Sequence, residues 1–403
     1  MNVLFREREH NRTLRFRIDG IKVRGTQAVF TSSRGQPLQG RLIDDGNRML
    51  LSLPWTDAPV VLKRSPEGRL PGFNSRVHGT QTPLRTPTAD GEWPVVTLES
   101  AGVTRGPIEE LVQELANAKP SSPVDPMVHA LLVARGGSLV LEEYFFGHGP
   151  EDLHDTRSAG KSVGSMLFGA VAAQRNLDAA AARDLKICDL SNEHSSQCSD
   201  PRRASITVGN ALAMQTGIQC DDDDYDSPGN EERMQEQSEE PNWHTYMLSV
   251  PMAREPGTKA IYCSGGINLA GLAARSLGQD SIPALFDALI ARPLGIERYH
   301  YNLDPSHRGY LGGGVRFRAR DLLKLGELMR NQGVWRGTQV LRSDWVTLST
   351  SPSGAIHEEN DYAYGWWRRS YAIAGRTVEA FHASGNGGQL LFVVPEFDLV
   401  VLF

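Results

Sequence analysis

Over the first sixty residues, apolar and polar positions alternate in short runs separated by Gly, Asp and Pro. Leu14-Arg15-Phe16-Arg17-Ile18 is the first such run, and Asp19-Gly20 supplies a turn after it. Ala28–Phe30, Met49–Leu53 and Val60–Leu62 continue the series. This spacing predicts a small antiparallel β-rich domain over residues 1–64. Arg15, Arg17, Lys22 and Arg24 then lie on a solvated sheet face. Residues 65–106, rich in Pro, Gly and Thr, read as an extended linker. At Pro107 the period lengthens. Ile108, Leu111, Val112 and Leu115 mark one stripe of a helix with Pro107 in its first turn.

Two strand-like runs follow, Val128–Val133 and Leu139–Phe146, with Gly136-Gly137 as the hairpin turn between them. Residues from about 158 to 345 carry mostly helical pattern and long polar loops. Strands return at Arg376–His382, Leu390–Val394 and Leu399–Phe403. Strands far apart in sequence must therefore complete one sheet. The expected fold class is α/β (α+β), an antiparallel sheet flanked by helices over 107–403, with an inserted all-helical region. The chain stops at Val400-Val401-Leu402-Phe403, inside an apolar strand, which predicts a further C-terminal segment.

A length of 403 residues supports a large core, and a net charge of −6 gives no general attraction to nucleic acid. No run approaches the ~20 apolar residues that span a bilayer. The opening Met1–Arg8 turns charged too soon for a secretory leader. Cys188 and Cys198 bracket a polar stretch and can staple it in an oxidising compartment, although two separate thiols are the simpler reading of the spacing. No C-x-x-C or His-x-x-x-His pair suggests zinc, and the expectation is no metal and no cofactor.

Ser158-Ala159-Gly160-Lys161 is the most informative segment for chemistry. Residues three apart on a helix share a face, so the Ser158 hydroxyl and the Lys161 amine can touch. A serine hydroxyl needs a neighbouring base to become a nucleophile. Val163, Met166, Leu167, Ala170 and Val171 follow at helical spacing. A helix buried that deeply is expected to lower the proton affinity of Lys161. Tyr262 and Ser264, in Ile261-Tyr262-Cys263-Ser264-Gly265-Gly266, put two hydroxyls at a loop–helix junction. Tyr262 there can accept or relay a proton, or simply pack at a helix start. In His382-Ala383-Ser384-Gly385-Asn386-Gly387-Gly388-Gln389, the glycines suit either a β-hairpin or a backbone brought close to a ligand.

The order Ser-x-x-Lys, Tyr-x-Ser, small residue-Ser-Gly resembles the serine β-lactamase and penicillin-binding-protein superfamily. It is most similar to the branch of class C β-lactamases, D-Ala-D-Ala carboxypeptidases and related esterases. Supporting stretches are Thr156–Ser162, Ile206–Gly217 with its Met214-Gln215-Thr216-Gly217 ending, Pro256-Gly257, Gly312-Gly313-Gly314 ahead of Ala319–Gly326, and Tyr364-Gly365-Trp366-Trp367. The resemblance covers about 107–403. It implies that Ser158 is acylated and that Lys161 accepts its proton or stabilises its alkoxide. Tyr262 is then the general base or proton shuttle, and Ser264 hydrogen-bonds Lys161 or the substrate. Ser384, Gly385 and Asn386 form the third motif, and the Ser158 and Asn386 amides form the oxyanion hole. Two such donors lower a barrier by on the order of 3 kcal/mol each. Trp366 and Trp367 are candidates for an apolar substrate wall or for ordinary packing. The resemblance also implies export from the cytoplasm.

One departure narrows the substrate. The third motif usually opens with Lys, Arg or His, a cation that binds a substrate carboxylate, and here Ala383 stands there. On a strand His382 faces the other way, so it does not simply replace the cation. The expectation is a serine hydrolase acting on a neutral ester or amide, with a small molecule or peptide as substrate and no nucleic-acid partner. The alternatives are a β-lactamase or D-Ala-D-Ala carboxypeptidase, which penicillin would trap, and a catalytically silent binding protein of the same fold. The acidic run Cys220–Asp226 lacks the alternating ligands of a calcium loop, and residues 221–241 read as a solvated, mobile lid.

Overall fold

The computed structural model describes residues 20–31, 37–53, 58–64, 75–76, 84–89, 91, 93–118, 127–357 and 360–403. The chain divides into two compact units. One holds residues 1–80, 114–127 and 145–147, and the other holds 81–113, 128–144 and 148–403.

The first unit contains a five-stranded antiparallel meander: β1 (Gly20–Arg24), β2 (Gln27–Thr31), β3 (Leu38–Ile43), β4 (Arg48–Ser52) and β5 (Val60–Lys63). Its inward positions alternate as a half-buried sheet requires. Ala28, Phe30, Leu38, Leu51 and Leu53 form the core, with Ile21, Met49, Val60 and Leu62 packed on it. Gly20 opens β1 instead of making a turn, and the tight turn falls at Gly25 (φ 58°). The run Leu14–Ile18 lies outside the described residues.

In the second unit, β6 (Ala130–Arg135) and β7 (Ser138–Tyr144) pair across the Gly136-Gly137 turn. Three short strands follow, β8 (Leu153–Asp155), β9 (Tyr299–His300) and β10 (Arg316–Arg318), in the order β8-β10-β9. A two-stranded ladder joins β11 (Val334–Trp335) to β12 (Thr338–Gln339). Then come β13 (Gly354–His357), β14 (Asn360–Tyr362), β15 (Trp367–Ile373), β16 (Arg376–Gly385), β17 (Gln389–Val394) and β18 (Leu399–Leu402). The main sheet is antiparallel and eight-stranded, in the order β13-β14-β15-β16-β17-β18-β6-β7. The last strand of the chain thus pairs with β6, over Leu399↔Arg135 to Leu402↔Leu132. Two distant stretches close one sheet, as the strand–helix–strand order requires.

The helices Gly160–Gln174 and Ser264–Gly278 pack together, and Ala319–Arg330 lies on β17, β18 and β6. That last helix is fixed by charge as well as by its apolar face. Arg320 donates from Nε and Nη2 to the Glu142 carboxylate of β7, and Lys324 Nζ donates to Asp321 at 2.9 Å. All four side chains are buried, so losing one partner would strand a charge in low dielectric. Part of the stretch read as linker packs instead. Trp93 is buried edge-on against Trp335 at 5.2 Å, and Val95 bridges to Leu139. No described helix is long and apolar enough to cross a membrane.

Candidate active site

Ser158 lies in a single 3-10 turn, Arg157–Ala159, that runs directly into the Gly160–Gln174 helix. Asp155 of β8 accepts from the Arg157 amide at 2.9 Å, which ties the turn to its strand. Arg157 carries φ 49°, a left-handed value that a non-glycine residue adopts only when its surroundings hold it. Those surroundings are the glycine run. The Gly314 amide donates to Arg157 O at 3.1 Å, and a Cβ on Gly313 would lie 2.6 Å from the same oxygen. The helix itself is apolar on nearly every side, and its residues from Gly160 to Ala172 are all buried.

Lys161 projects from the first turn of this helix and is 1 % exposed. Its Nζ donates to Ser158 Oγ at 2.9 Å and to the Gly312 carbonyl at 2.6 Å. It also sits 5.0 Å from the centroid of the Tyr262 ring. Burial by itself pulls the Lys161 pKa down. Tyr262, Glu231 and Asp222 outweigh burial, and the ammonium is held above its ordinary range. The expectation of a lowered proton affinity is therefore reversed, because the sequence does not reveal the acidic neighbours.

Tyr262 is half-buried just before the Ser264–Gly278 helix. Its ring stacks on Trp367 (centroids 5.8 Å apart, planes 14°) and meets the edge of Tyr362 at 6.3 Å. Below it, Met214 (φ 61°) accepts from the Ile261 amide through its carbonyl, and its sulfur accepts from the Cys263 amide at 3.4 Å. The Met-x-Thr-Gly turn and the Tyr-x-Ser segment thus hold each other.

Ser264 does not reach Lys161. It is fully buried, and its amide donates to Asp222 Oδ2 at 2.6 Å. Asp222 belongs to the acidic run read as a solvated lid. Asp223 to Asp226 are exposed, as a solvated loop requires, but the start of the segment is pinned: Cys220 is bridged to Cys263, and the Asp222 amide donates to Tyr262 O at 3.0 Å. The Glu231 amide donates to Asp222 Oδ1 at 3.0 Å. Burial, and then repulsion from Glu231, pushes the Asp222 carboxyl up to about 7. Cys188 and Cys198 are bridged as well, so the described residues hold no free thiol.

The third motif ends β16. Burial alternates along it, with Phe381, Ala383 and Gly385 buried and His382 and Ser384 half-buried. Gly385 points at the serine turn, since a Cβ there would lie 2.2 Å from Thr156 O. Ala383 shares that face of the strand, while Ser384 and His382 share the other. His382 packs on Phe392 at 4.9 Å, and burial followed by Arg369 brings its pKa down to about 4. It supplies no cation. Asn386 follows in the exposed turn to β17. Trp366 does not line a cleft: it is fully buried, edge-on to Phe381 at 5.3 Å, and Trp367 is the tryptophan beside Tyr262.

Sequence reasoning thus brought Ser158, Lys161, Tyr262 and Gly385 to one place and missed the Gly312 carbonyl, Asp222 and Glu231. A carbonyl acceptor has no side-chain signature. The two acids had one indirect signal, a cysteine between Tyr262 and Ser264 that needed a partner.

An eight-stranded antiparallel sheet carrying a Ser-x-x-Lys helix against a tyrosine and a Gly-terminated strand defines a serine hydrolase of the transpeptidase-like class. The Beta-lactamase family profile matches residues 124–403, and the chain belongs to that family. A 6-aminohexanoate-dimer hydrolase from Paenarthrobacter ureafaciens is 26 % identical over 334 residues, covering 79 % of each chain. Among solved structures, a family VIII carboxylesterase superposes with a TM-score of 0.53 at 18 % identity, over 68 % of this chain and 85 % of that one. A penicillin-binding-protein homologue from Caulobacter crescentus gives 0.51 at 16 %, over 68 % and 85 %. These structural likenesses concern the fold.

Proposed function

We propose that the protein hydrolyses a neutral amide or ester through an acyl-enzyme on Ser158. The observation that carries this reading is the 2.9 Å hydrogen bond from the Lys161 ammonium to Ser158 Oγ, beside Tyr262. A lysine that is charged at rest is a poor proton acceptor, so Tyr262 takes that role. Lys161 then stabilises the Tyr262 phenolate and the developing Ser158 alkoxide. Ser158 Oγ attacks the substrate carbonyl as its proton passes to Tyr262. Collapse of the tetrahedral intermediate breaks the C–N or C–O bond, and Tyr262 returns the proton to the leaving group. Water repeats the cycle and releases the acid. The amides of Ser158 and Asn386 are the assigned oxyanion donors.

Substrate choice rests on Ala383 and on the sequence relative. A small apolar residue on the serine-facing side of β16 cannot bind the carboxylate of a β-lactam or a peptidyl-D-Ala. The sequence relative is named a 6-aminohexanoate-dimer hydrolase, which favours an amide among the two linkages. Intact-mass spectrometry after fluorophosphonate treatment tests the nucleophile: one adduct on the wild type and none on Ser158→Ala is the expected pair. Short p-nitrophenyl esters, 6-aminohexanoate dimer, nitrocefin and D-Ala peptides then rank the substrates. Stoichiometric trapping by penicillin would overturn the choice of substrate and leave the nucleophile standing.

A further inference from the structure

Three histidines meet on the approach to the serine turn. His129 immediately precedes β6, His148 lies in the loop after β7, and His154 is the middle residue of β8. The rings of His129 and His148 stack at 4.0 Å with planes 20° apart. His148 and His154 are 5.2 Å apart, and His129 and His154 are 6.1 Å apart. One nitrogen from each ring lies within 4.8 Å of the other two. All three are half-buried, and His154 Nε2 is shielded from solvent without a hydrogen-bond partner. The Ser158 machinery uses none of them.

We propose that His129, His148 and His154 form a binding site for a divalent transition-metal ion of intermediate softness, zinc in the first instance. Packing alone accounts poorly for the arrangement. Two stacked imidazoles gain little from each other, and a buried ring nitrogen with no partner costs about 1–3 kcal/mol. A metal ion bound through that nitrogen removes the cost. Zinc–nitrogen bonds of about 2.0–2.1 Å in tetrahedral geometry place ligand nitrogens about 3.4 Å apart. The three rings therefore need to close by up to about 1.4 Å, which side-chain rotation supplies. An all-imidazole set selects Zn, Co, Ni or Cu over Mg and Ca, which prefer oxygen. The fourth position stays with water.

The position says what the ion would do. His154 pairs with Phe317 across β8 and β10, and the next residue, Asp155, accepts from the Arg157 amide. An ion joining His154 to His129 and His148 ties the β6–β7 hairpin to the strand that enters the serine turn. It acts as a structural clamp, outside the reacting groups.

The test uses tag-free full-length protein stripped with a chelator. Titration with Zn2+ against a chromophoric competitor should show one equivalent bound, and Co2+ should give the visible ligand-field bands of a tetrahedral nitrogen site. Zn2+ should also raise the melting temperature. His148→Ala and the milder His148→Gln change a loop residue and are expected to weaken binding at least roughly tenfold. His382→Ala, remote from the three rings in the sequence and outside the cluster, should leave it intact. Stripped protein should keep its reaction with fluorophosphonate, which separates this site from Ser158. Binding that is sub-stoichiometric, or equal in wild type and both His148 variants, would overturn the proposal.

Discussion

Cys263, the residue between Tyr262 and Ser264, is bridged to Cys220, two residues before Asp222. The bond puts the acidic segment and the tyrosine segment on one covalent frame. It closes a separation of 43 residues, which in the chain-entropy model corresponds to about 4 kcal/mol, against roughly 3 kcal/mol for the separation of 10 at Cys188–Cys198. The two bonds are expected to differ more in function than in stability. Replacing Cys220 and Cys263 together with Ala should lower the melting temperature and cut kcat as Tyr262 loses its place. Replacing Cys188 and Cys198 should lower the melting temperature alone. Thermal melts and ester kinetics on the two double variants decide this, and equal loss of kcat in both would remove the special role of the Cys220–Cys263 frame.

Ser158, Lys161 and Tyr262 should behave as one unit. Lys161→Ala and Tyr262→Phe are each expected to slow acylation by about 100- to 10,000-fold. The double variant should be little worse than the poorer single one, because the Lys161 ammonium and the Tyr262 phenolate serve the same proton transfer. Stopped-flow acylation with a p-nitrophenyl ester gives the three rates. Strictly multiplicative losses would mean that the two side chains act on separate steps.

The parts of this molecule that sequence reveals are those with period and local spacing. The helix after Ser158 announces itself through Val163, Met166, Leu167 and Ala170, and the structure buries every one. The β6–β7 hairpin and the closing strands were equally plain. β15 was not, because Arg368, Arg369 and Ser370 interrupt its run and the apolar Ala372 and Ile373 lie exposed beside each other without alternation. β3 was hidden by Gly40, whose missing side chain makes room for Phe30 and Met49. At the site, Ser158 and Lys161 are one turn apart and readable. Asp222 and Glu231 are not, since only the tertiary fold and the Cys220–Cys263 bond bring Asp222 to the site while Asp223, Asp224 and Asp226 stay exposed. The same two neighbours raise the proton affinity of Lys161, which burial of its helix alone would lower.

Gly385 and Gly313 hold the two walls of the serine turn by having no side chain. A methyl group on Gly385 would lie 2.2 Å from Thr156 O, and one on Gly313 would lie 2.6 Å from Arg157 O at φ 148°. Both contacts are with backbone, so the turn or the strand must move. Gly385→Ala should lower kcat/KM by at least about 100-fold, the cost of misplacing an oxyanion donor. Gly106→Ala is the control: it has open space and an ordinary backbone, and should leave activity unchanged. Wild-type kinetics in Gly385→Ala would show that β16 does not border the reacting carbonyl.

Asp222 makes the folded protein a proton reservoir in a defined window. In the unfolded chain its carboxyl ionises at the ordinary value of 3.8, and in the folded protein near 7. Between those values the folded state binds more protons than the unfolded one, so the stability contributed by this group is full below about pH 4 and declines as pH rises toward 7. Asp222→Asn cannot ionise and keeps an oxygen to accept from the Ser264 or Glu231 amide. Its melting temperature should therefore fall less between pH 4 and pH 7 than that of the wild type, and should match or exceed the wild type at pH 8. A melting series across that range, read beside the pH profile of acylation, checks both consequences. Parallel melting curves for the two proteins would place the Asp222 carboxylate in the ordinary range and overturn its raised proton affinity.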